Sequence, residues 1–327
     1  MSLNQINYGI IGAGHIGNFH SQQIQNIIPR VNVVGVYDIN FKHAQYVASK
    51  NNIPAYKSLL ELLRACNAVS IATPAATHTE IALEALNENC HVFIEKPLAT
   101  TILDCQKIIQ KSERNNLLVQ VGHIERFNPT FVIFNQDNKD IPLFIESQRL
   151  TPFTKRGIDT NVILDLMIHD IDLILYLVKS KLKSIHANGI NILTHSLDLV
   201  NARLTFQNGC VANLTASRIS DTPTRKLRVF SKSKYTSLDL QKHQLTIYNI
   251  NNKLSNNSTK EPVFSFDDKV ILVKQQQIPN NNALYEELLS FVTSIQTSKA
   301  VQVNALDGLN AIEVATMIQN KINEQKK

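Results

Sequence analysis

Gly12-Ala-Gly14-His-Ile-Gly17 follows an apolar, β-rich run at residues 7–11 and opens a segment of helical spacing at residues 16–28. Three glycines at that spacing solve three problems of a strand-to-helix turn. The first permits the tight turn, the second lets a ligand approach the backbone, and the third lets helix pack on strand. The N-terminal amides of the helix then point over the turn, an arrangement that favours a phosphate. Asp38 ends the next β-rich run, 31–37, where a carboxylate can accept hydrogen bonds from an adenosine ribose. That carboxylate repels a 2′-phosphate and no arginine directly follows it, so the expected cofactor is NAD rather than NADP, with Lys42 as the one nearby reservation.

Outward from this turn, β-rich runs at 68–71, 91–94 and 117–121 alternate with amphipathic segments at 41–51, 79–87 and 103–115. The alternation predicts an α/β fold whose first part, residues 1–122, is a Rossmann domain with a doubly wound parallel sheet. After Gly122 the texture changes to a loop with Pro129, a strand at 144–150 and one strongly apolar helix at 162–178. Strands then follow at 185–193, 197–206, 210–217, 226–231, 237–240 and 245–248. Short turns such as Gln207-Asn-Gly209 predict a mostly antiparallel sheet in a second, α+β domain over 123–304. The Asn- and Ser-rich stretch 249–260 reads as an exposed loop, and helices at 283–296 and 306–323 end the chain, the second capped by Asn304.

The 327 residues, 43% of them hydrophobic, suffice for two domains with a sizeable core. Residues 8–19 are broken by four glycines, and residues 162–178 carry Asp165, His169, Asp170 and Asp172, so neither run reads as a signal peptide or membrane span. Cys66, Cys90, Cys105 and Cys210 lack paired spacing, which argues against a metal site or disulfide framework and for a reducing cytoplasm. A net charge of +6, from 33 Lys and Arg against 27 Asp and Glu, weakly favours anionic ligands. No aromatic-interleaved basic stripe accompanies it, so nucleic acid is not an expected partner.

Glu95-Lys96-Pro97 follows the run 91–94 and puts a lysine where a bound nicotinamide would lie. Beside a positively charged nicotinamide the ammonium form is disfavoured, and such a lysine can hydrogen-bond a hydroxyl under oxidation and relay its proton. Thr73-Pro74 ends a run at the sheet's carboxyl edge and either lines the nicotinamide ribose or makes a plain strand-ending turn. His15 and Ile16 in the glycine turn and His78 at a helix start are further cofactor-facing candidates, without a proton-transfer role. Asp165 and His169 are four apart on a helical segment and so share a face. The aspartate can orient the imidazole while the ring accepts a hydroxyl proton near neutral pH. The alternative is a core histidine beside a capping or salt-bridged aspartate, and structural pairing explains Asp170 and Asp172 at least as well.

Together the glycine turn 12–17, Asp38, Glu95-Lys96-Pro97 and Asp165-Leu-Met-Ile-His169 resemble the glucose-fructose oxidoreductase/inositol dehydrogenase/MocA family over nearly the whole chain. The resemblance implies a C-terminal domain on a large open sheet whose face mediates dimer or tetramer contacts, and a final helix, 305–323, that returns to the first domain. It also implies a catalytic set of Lys96, Asp165 and His169, cofactor contacts at Thr73 and Pro74, and Glu95 at the nicotinamide ribose. Val121-Gly-His-Ile-Glu-Arg-Phe-Asn-Pro129, Thr151-Pro-Phe-Thr-Lys-Arg-Gly157, Ala212-Asn-Leu-Thr-Ala-Ser-Arg218 and Arg225-Lys-Leu-Arg228 are similar to one branch of that family. That branch oxidises C3 of UDP-N-acetylglucosamine with NAD, and an aminotransferase then makes the 3-amino sugar of lipid A. Arg126, Lys155, Arg156 and Arg218 are candidate cations for a substrate diphosphate, and Asn128 for a sugar hydroxyl. Each has a plainer alternative as a surface charge or, for Asn128, as a cap before Pro129. A free sugar or inositol is the rival substrate. A nonenzymatic, dinucleotide-responsive binding protein is the rival class, although a sensor has no need of Lys96, Asp165 and His169 together.

Overall fold

The computed structural model describes residues 5–27, 30–138, 140–154, 160–252, 264–266 and 269–325. By their contacts the residues divide into two units, Met1–Phe127 with Asn282–Glu313, and Asn128–Asn281 with Val314–Lys327.

The first unit alternates strand and helix as β1 (Ile6–Ile11), α1 (His15–Gln25), β2 (Val31–Tyr37), α2 (Phe41–Asn51), β3 (Ala55–Tyr56) and α3 (Leu59–Arg64). It continues with β4 (Ala68–Ile71), α4 (His78–Asn87), β5 (His91–Glu95), α5 (Ile102–Asn115) and β6 (Val119–Gly122). All six strands are parallel, in the order β3-β2-β1-β4-β5-β6 of a doubly wound sheet. β1, β4, β5 and β6 are almost wholly buried, which is why they read as continuous apolar runs without alternation. The strand order reverses between β1 and β4, and ligands of open α/β sheets bind at the carboxyl ends beside such a reversal.

The helix Ala283–Thr297, placed in the second domain by the sequence reading, is part of the first unit instead. Its Phe291 is fully buried and meets Tyr8 and Phe93 edge to face at 6.4 and 6.0 Å between ring centroids. Leu288 and Val292 join the same core.

The second unit holds α6 (Pro129–Asp137), β7 (Phe144–Leu150), a π-helical turn (Ile163–Met167), α7 (Ile168–Val178), β8 (Leu182–Ile190), β9 (Leu199–Phe206) and β10 (Val211–Ser217). It continues through β11 (Thr224–Phe230), β12 (Lys234–Asp239), β13 (Gln244–Asn252), β14 (Phe264–Phe266) and β15 (Lys269–Gln277). The sheet runs β14-β15-β13-β12-β11-β7-β10-β9-β8, and among the described strands β7 and β10 pair in parallel while the other neighbours are antiparallel. Two local expectations change. The loop with Pro129 is α6, because Asn128 Oδ1 accepts the Thr130 amide at 3.1 Å, proline suits the first helical position, and Phe131 and Phe134 are buried. Asn249–Asn252 of the expected loop continue β13, held in register by the β15 strand up to Asn252 opposite Lys269, and residues 253–260 lie outside the described residues.

α8 is the helix Ala283–Thr297, and α9 (Ala305–Gln325) follows it. Asn304 caps α9 as expected: its Oδ1 accepts the Asp307 amide at 3.0 Å while Asp307 Oδ2 accepts the Asn304 amide at 2.9 Å, a reciprocal capping box. The helix was expected to return whole to the first domain. Only its start does, with Gly308 so close to Leu98 and Val121 that a Cβ would lie 3.0 Å from each. From Val314 it groups with the second unit, where Ile322 lies against Gly189. Among the described residues no helix is long and apolar enough to cross a membrane.

Phe291→Ala should leave a cavity between α8 and the sheet and cost about 3–5 kcal/mol. Urea unfolding followed by far-ultraviolet circular dichroism should show an earlier transition, whereas Tyr46→Ala at an exposed position should stay within about 0.5 kcal/mol of the parent. An unmoved transition for Phe291→Ala would place α8 outside that core.

Candidate active site

The turn between β1 and α1 explains its three glycines one by one. Gly12 has φ +97°, a conformation that disfavours any Cβ, and its amide donates to the Tyr37 carbonyl at 2.8 Å. A Cβ on Gly17 would overlap the Gly12 carbonyl oxygen, so the third glycine is required by helix-on-strand packing. A Cβ on Gly14 would meet no described atom within 4 Å, so nothing in the fold demands this glycine and the space beside it is open. Gly14 also begins α1, whose eleven residues carry no side-chain cap, and His15 and Ile16 on its first turn are exposed. The leading amides of a helix have no acceptors within it. Open space and uncapped amides fit a dinucleotide pyrophosphate.

Asp38 is half-buried and does more than end β2. Its Oδ2 accepts the Ala13 amide at 2.7 Å and its Oδ1 the Asn40 amide at 2.8 Å. A carboxylate has about four acceptor sites, so ribose hydroxyls can still be served. Ile39, which follows it, is 94% exposed and Ile16 is 45% exposed, two apolar surfaces the sequence reading did not single out for an adenine. The signal was available as a β-branched residue directly after a strand-ending acid.

Beside the glycine turn on the same sheet edge, Thr73 and Pro74 follow β4, and the Thr73 Cγ2 lies 3.0 Å from where a Gly12 Cβ would be. His78, expected to face the cofactor, is instead buried behind this turn. Its ring nitrogens lie 2.8 Å from the Pro97 carbonyl and 2.9 Å from the Thr73 carbonyl, so the ring sits between the Thr73 and Lys96-Pro97 turns, and its neutral form donates to one of the two carbonyls. Burial holds its pKa below the ordinary histidine value, opposed by the two carbonyls.

Glu95 and Lys96 end β5 half-buried, and the Lys96-Pro97 peptide is cis. Glu95 Oε1 is 2.9 Å from His20 Nε2, and Gly122 of β6 leaves room for the carboxylate, since a Cβ there would come within 3.0 Å of Oε2. Burial pushes the Glu95 carboxyl up, but the hydrogen bond and charge of His20, followed by the charges of Lys96 and His78, outweigh it and hold the group below its usual range. His20 carries no local signal in the sequence, because its partners Ser70 and Glu95 are 50 and 75 residues away.

In the second unit Asp165 lies in the π-helical turn and His169 in the first turn of α7, both half-buried. The sequence pattern showed a helix here but not the π turn, a feature frequent at functional sites. The turn is fixed at its start. Asn161 Oδ1 accepts the Ile163 and Leu164 amides, each at 3.1 Å, while the Arg218 guanidinium donates to the Thr160 carbonyl. Asp170 makes a buried two-pronged ion pair with Arg149, at 2.7 and 3.2 Å, which gives it a structural part.

The substrate candidates fare differently. Arg218 is buried against Thr160, and Arg126 is buried with its Nη2 3.9 Å from Asp307 Oδ1. Asn128 commits Oδ1 to the Thr130 amide and Nδ2 to the Leu240 carbonyl at 3.1 Å, so it is a buried cap rather than a sugar contact. Lys155 and Arg156 lie outside the described residues.

Residues 6–123 match the model of the "Oxidoreductase family, NAD-binding Rossmann fold", and residues 121–233 that of the "GFO/IDH/MocA C-terminal domain". A UDP-N-acetylglucosamine 3-dehydrogenase from Acidithiobacillus ferrooxidans is 32% identical over 311 residues, 95% of each chain. The solved structure of UDP-N-acetylglucosamine 3-dehydrogenase GnnA from that organism, 30% identical, covers 98% of each chain with a TM-score of 0.88. An inositol 2-dehydrogenase from Salmonella typhimurium is 32% identical over 187 residues, 54% of this chain and 56% of the relative. A levoglucosan dehydrogenase in complex with NADH and levoglucosan, 16% identical over 98% of each chain, shares the fold with a TM-score of 0.82. Matched by both domain models and nearly end to end by a relative of the same kind, the chain belongs to the GFO/IDH/MocA family of NAD-binding oxidoreductases.

Proposed function

We propose that the protein oxidises the C3 hydroxyl of UDP-N-acetylglucosamine to the 3-keto sugar with NAD. The observation that carries this reading is the similarity over 95% of both chains, at 32% identity, to a UDP-N-acetylglucosamine 3-dehydrogenase. A bound NAD would supply the acceptor for the hydride lost from the sugar carbon. His169 takes the hydroxyl proton as general base, Asp165 orients the ring and stabilises its cation, and Lys96 hydrogen-bonds the hydroxyl and helps relay its proton. The α1 amides hold the pyrophosphate, Asp38 the adenosine ribose, Thr73, Pro74 and Glu95 the nicotinamide ribose, and Ile16 and Ile39 flank the adenine. Lys155 and Arg156 contact the substrate diphosphate, while the buried Arg126 and Arg218 add positive charge. The partial match to an inositol 2-dehydrogenase supports a free cyclitol or sugar as the second reading.

Purified protein with NAD and UDP-N-acetylglucosamine should form NADH, or should do so once a coupling aminotransferase removes the keto sugar. N-acetylglucosamine and myo-inositol should give far lower kcat/KM, and no turnover of the nucleotide sugar in either format by protein that binds NAD would sink this substrate. Lys96→Met and His169→Ala should each lower kcat by about 10²–10⁴-fold in protein that still binds NADH, the range for removing an acid–base group. Equal turnover in both variants would exclude the assigned roles.

Gly14→Val separates cofactor contact from folding, because a Cβ at this position would meet no described atom within 4 Å. Its thermal unfolding should match the parent, while calorimetric NADH affinity should fall by at least about tenfold as the side chain fills the approach to the backbone. Unchanged affinity would move the pyrophosphate away from this turn.

A further inference from the structure

The first unit contains a buried polar track that the proposed chemistry does not use. Tyr8 of β1, Ser70 of β4 and His20 of α1 are each fully buried. They are joined end to end: Tyr8 OH to Ser70 Oγ at 2.6 Å, Ser70 Oγ to His20 Nδ1 at 3.0 Å, and His20 Nε2 to Glu95 Oε1 at 2.9 Å. Phe93 packs against the His20 ring with centroids 5.3 Å apart. The track comes out at Glu95, whose side chain is 20% exposed at the end of β5, next to Lys96.

Donors and acceptors along the track follow from valence. A Glu95 carboxylate only accepts, so Nε2 carries the hydrogen; in the tautomer whose only ring hydrogen is that one, Nδ1 accepts from the Ser70 hydroxyl, whose oxygen accepts from Tyr8. Burial above all raises the Tyr8 pKa, so this hydroxyl stays protonated and keeps donating. Every group finds a partner, as buried polar groups must. Packing between α1 and the sheet would be served as well by apolar side chains at positions 8, 20 and 70. What the polar set adds is a defined donor aimed at one carboxylate.

We infer that His20 is a positioning residue of this dehydrogenase: it holds Glu95 as an oriented carboxylate beside Lys96, and the Ser70 and Tyr8 hydroxyls fix the ring tautomer that can do so. The inference rests on the assignment of Glu95 and Lys96 to the nicotinamide end of the site. The titratable groups whose charges act on Glu95 are His20 from α1, which also hydrogen-bonds it at 2.9 Å, Lys96, which follows it in the chain, and His78 from α4. Without the His20 donor, burial is opposed by the other two alone. Glu95 then takes up a proton at higher pH, and its negative charge is lost from beside Lys96 and the cofactor.

Two variants separate the donor to Glu95 from mere filling of the space. His20→Gln places an amide N–H near the former Nε2 and can still reach Glu95, whereas His20→Asn places its amide near the former Nδ1 and reaches Ser70 alone. NADH affinity is measured by fluorescence titration across pH on the full chain, with thermal unfolding as the control and kcat and KM determined alongside. His20→Asn should weaken NADH binding by about tenfold and move the acid limb of binding upward by about one pH unit, while His20→Gln stays within about threefold of the parent. Parent-like binding and pH profile in both variants overturns the inference, as does an equal loss in both that follows a fall in unfolding temperature. Should His20→Asn not fold, Ser70→Ala removes the bond that fixes the tautomer, and must shift the acid limb in the same direction for the inference to stand. NADH binding is read without any sugar, so absent turnover of UDP-N-acetylglucosamine would remove the substrate proposal and leave this result interpretable.

Discussion

Asp38 accepts the Ala13 amide at 2.7 Å with one oxygen and the Asn40 amide at 2.8 Å with the other, tying the turn after β1 to the end of β2. Bonds of this charge-assisted kind contribute about 1.5–3 kcal/mol each, more than neutral ones. The Gly12 amide adds a second tie between the two segments, to the Tyr37 carbonyl. With the turn held, Gly17 lies hard against the Gly12 carbonyl and the position of α1 on the sheet is set. Its N-terminus then opens over Gly14, and His20, about one helical turn past Gly17, faces inward to Ser70 and Glu95. One carboxylate therefore conditions both the anion site and the polar track behind it.

The second unit meets a comparable need by different means. The π turn carrying Asp165 departs from ordinary helical hydrogen bonding, and it is held by the Asn161 cap before it and the Arg149–Asp170 pair after it. A buried ion pair loses much of its attraction to desolvation and is weak evidence of net stability. Its geometry is another matter, because two parallel bonds fix the rotation of α7 next to His169.

The strands of the first sheet were legible because burial on both faces leaves an unbroken apolar run, and the dinucleotide turn because glycine spacing follows directly from contacts. Elements of two and six residues, β3 and α3, are too short to show a period. Pro129 was read as a loop marker although proline is equally at home in the first turn of a helix, and Asn128 and Phe131 decide between the two. The polar tail of β13 is held by its pairing with β15, which composition does not reveal. Lys96, Asp165 and His169 could be named because each lies in a local motif. His20 and Arg149 could not, since their partners lie far along the chain, and the burial of Asn128 and His78 emerged only with the fold.

Direct hydride transfer from the C3 carbon of a nucleotide sugar is tested without reliance on rates by following an isotope. UDP-N-acetylglucosamine carrying deuterium at C3 is incubated with the protein and NAD, and the reduced cofactor is examined by mass spectrometry. Singly deuterated NADH and a keto sugar that has lost the label are expected. NADH formed without deuterium would place the oxidation at another carbon, and no reduced cofactor from protein that binds NAD, with coupling aminotransferase present, would contradict the account.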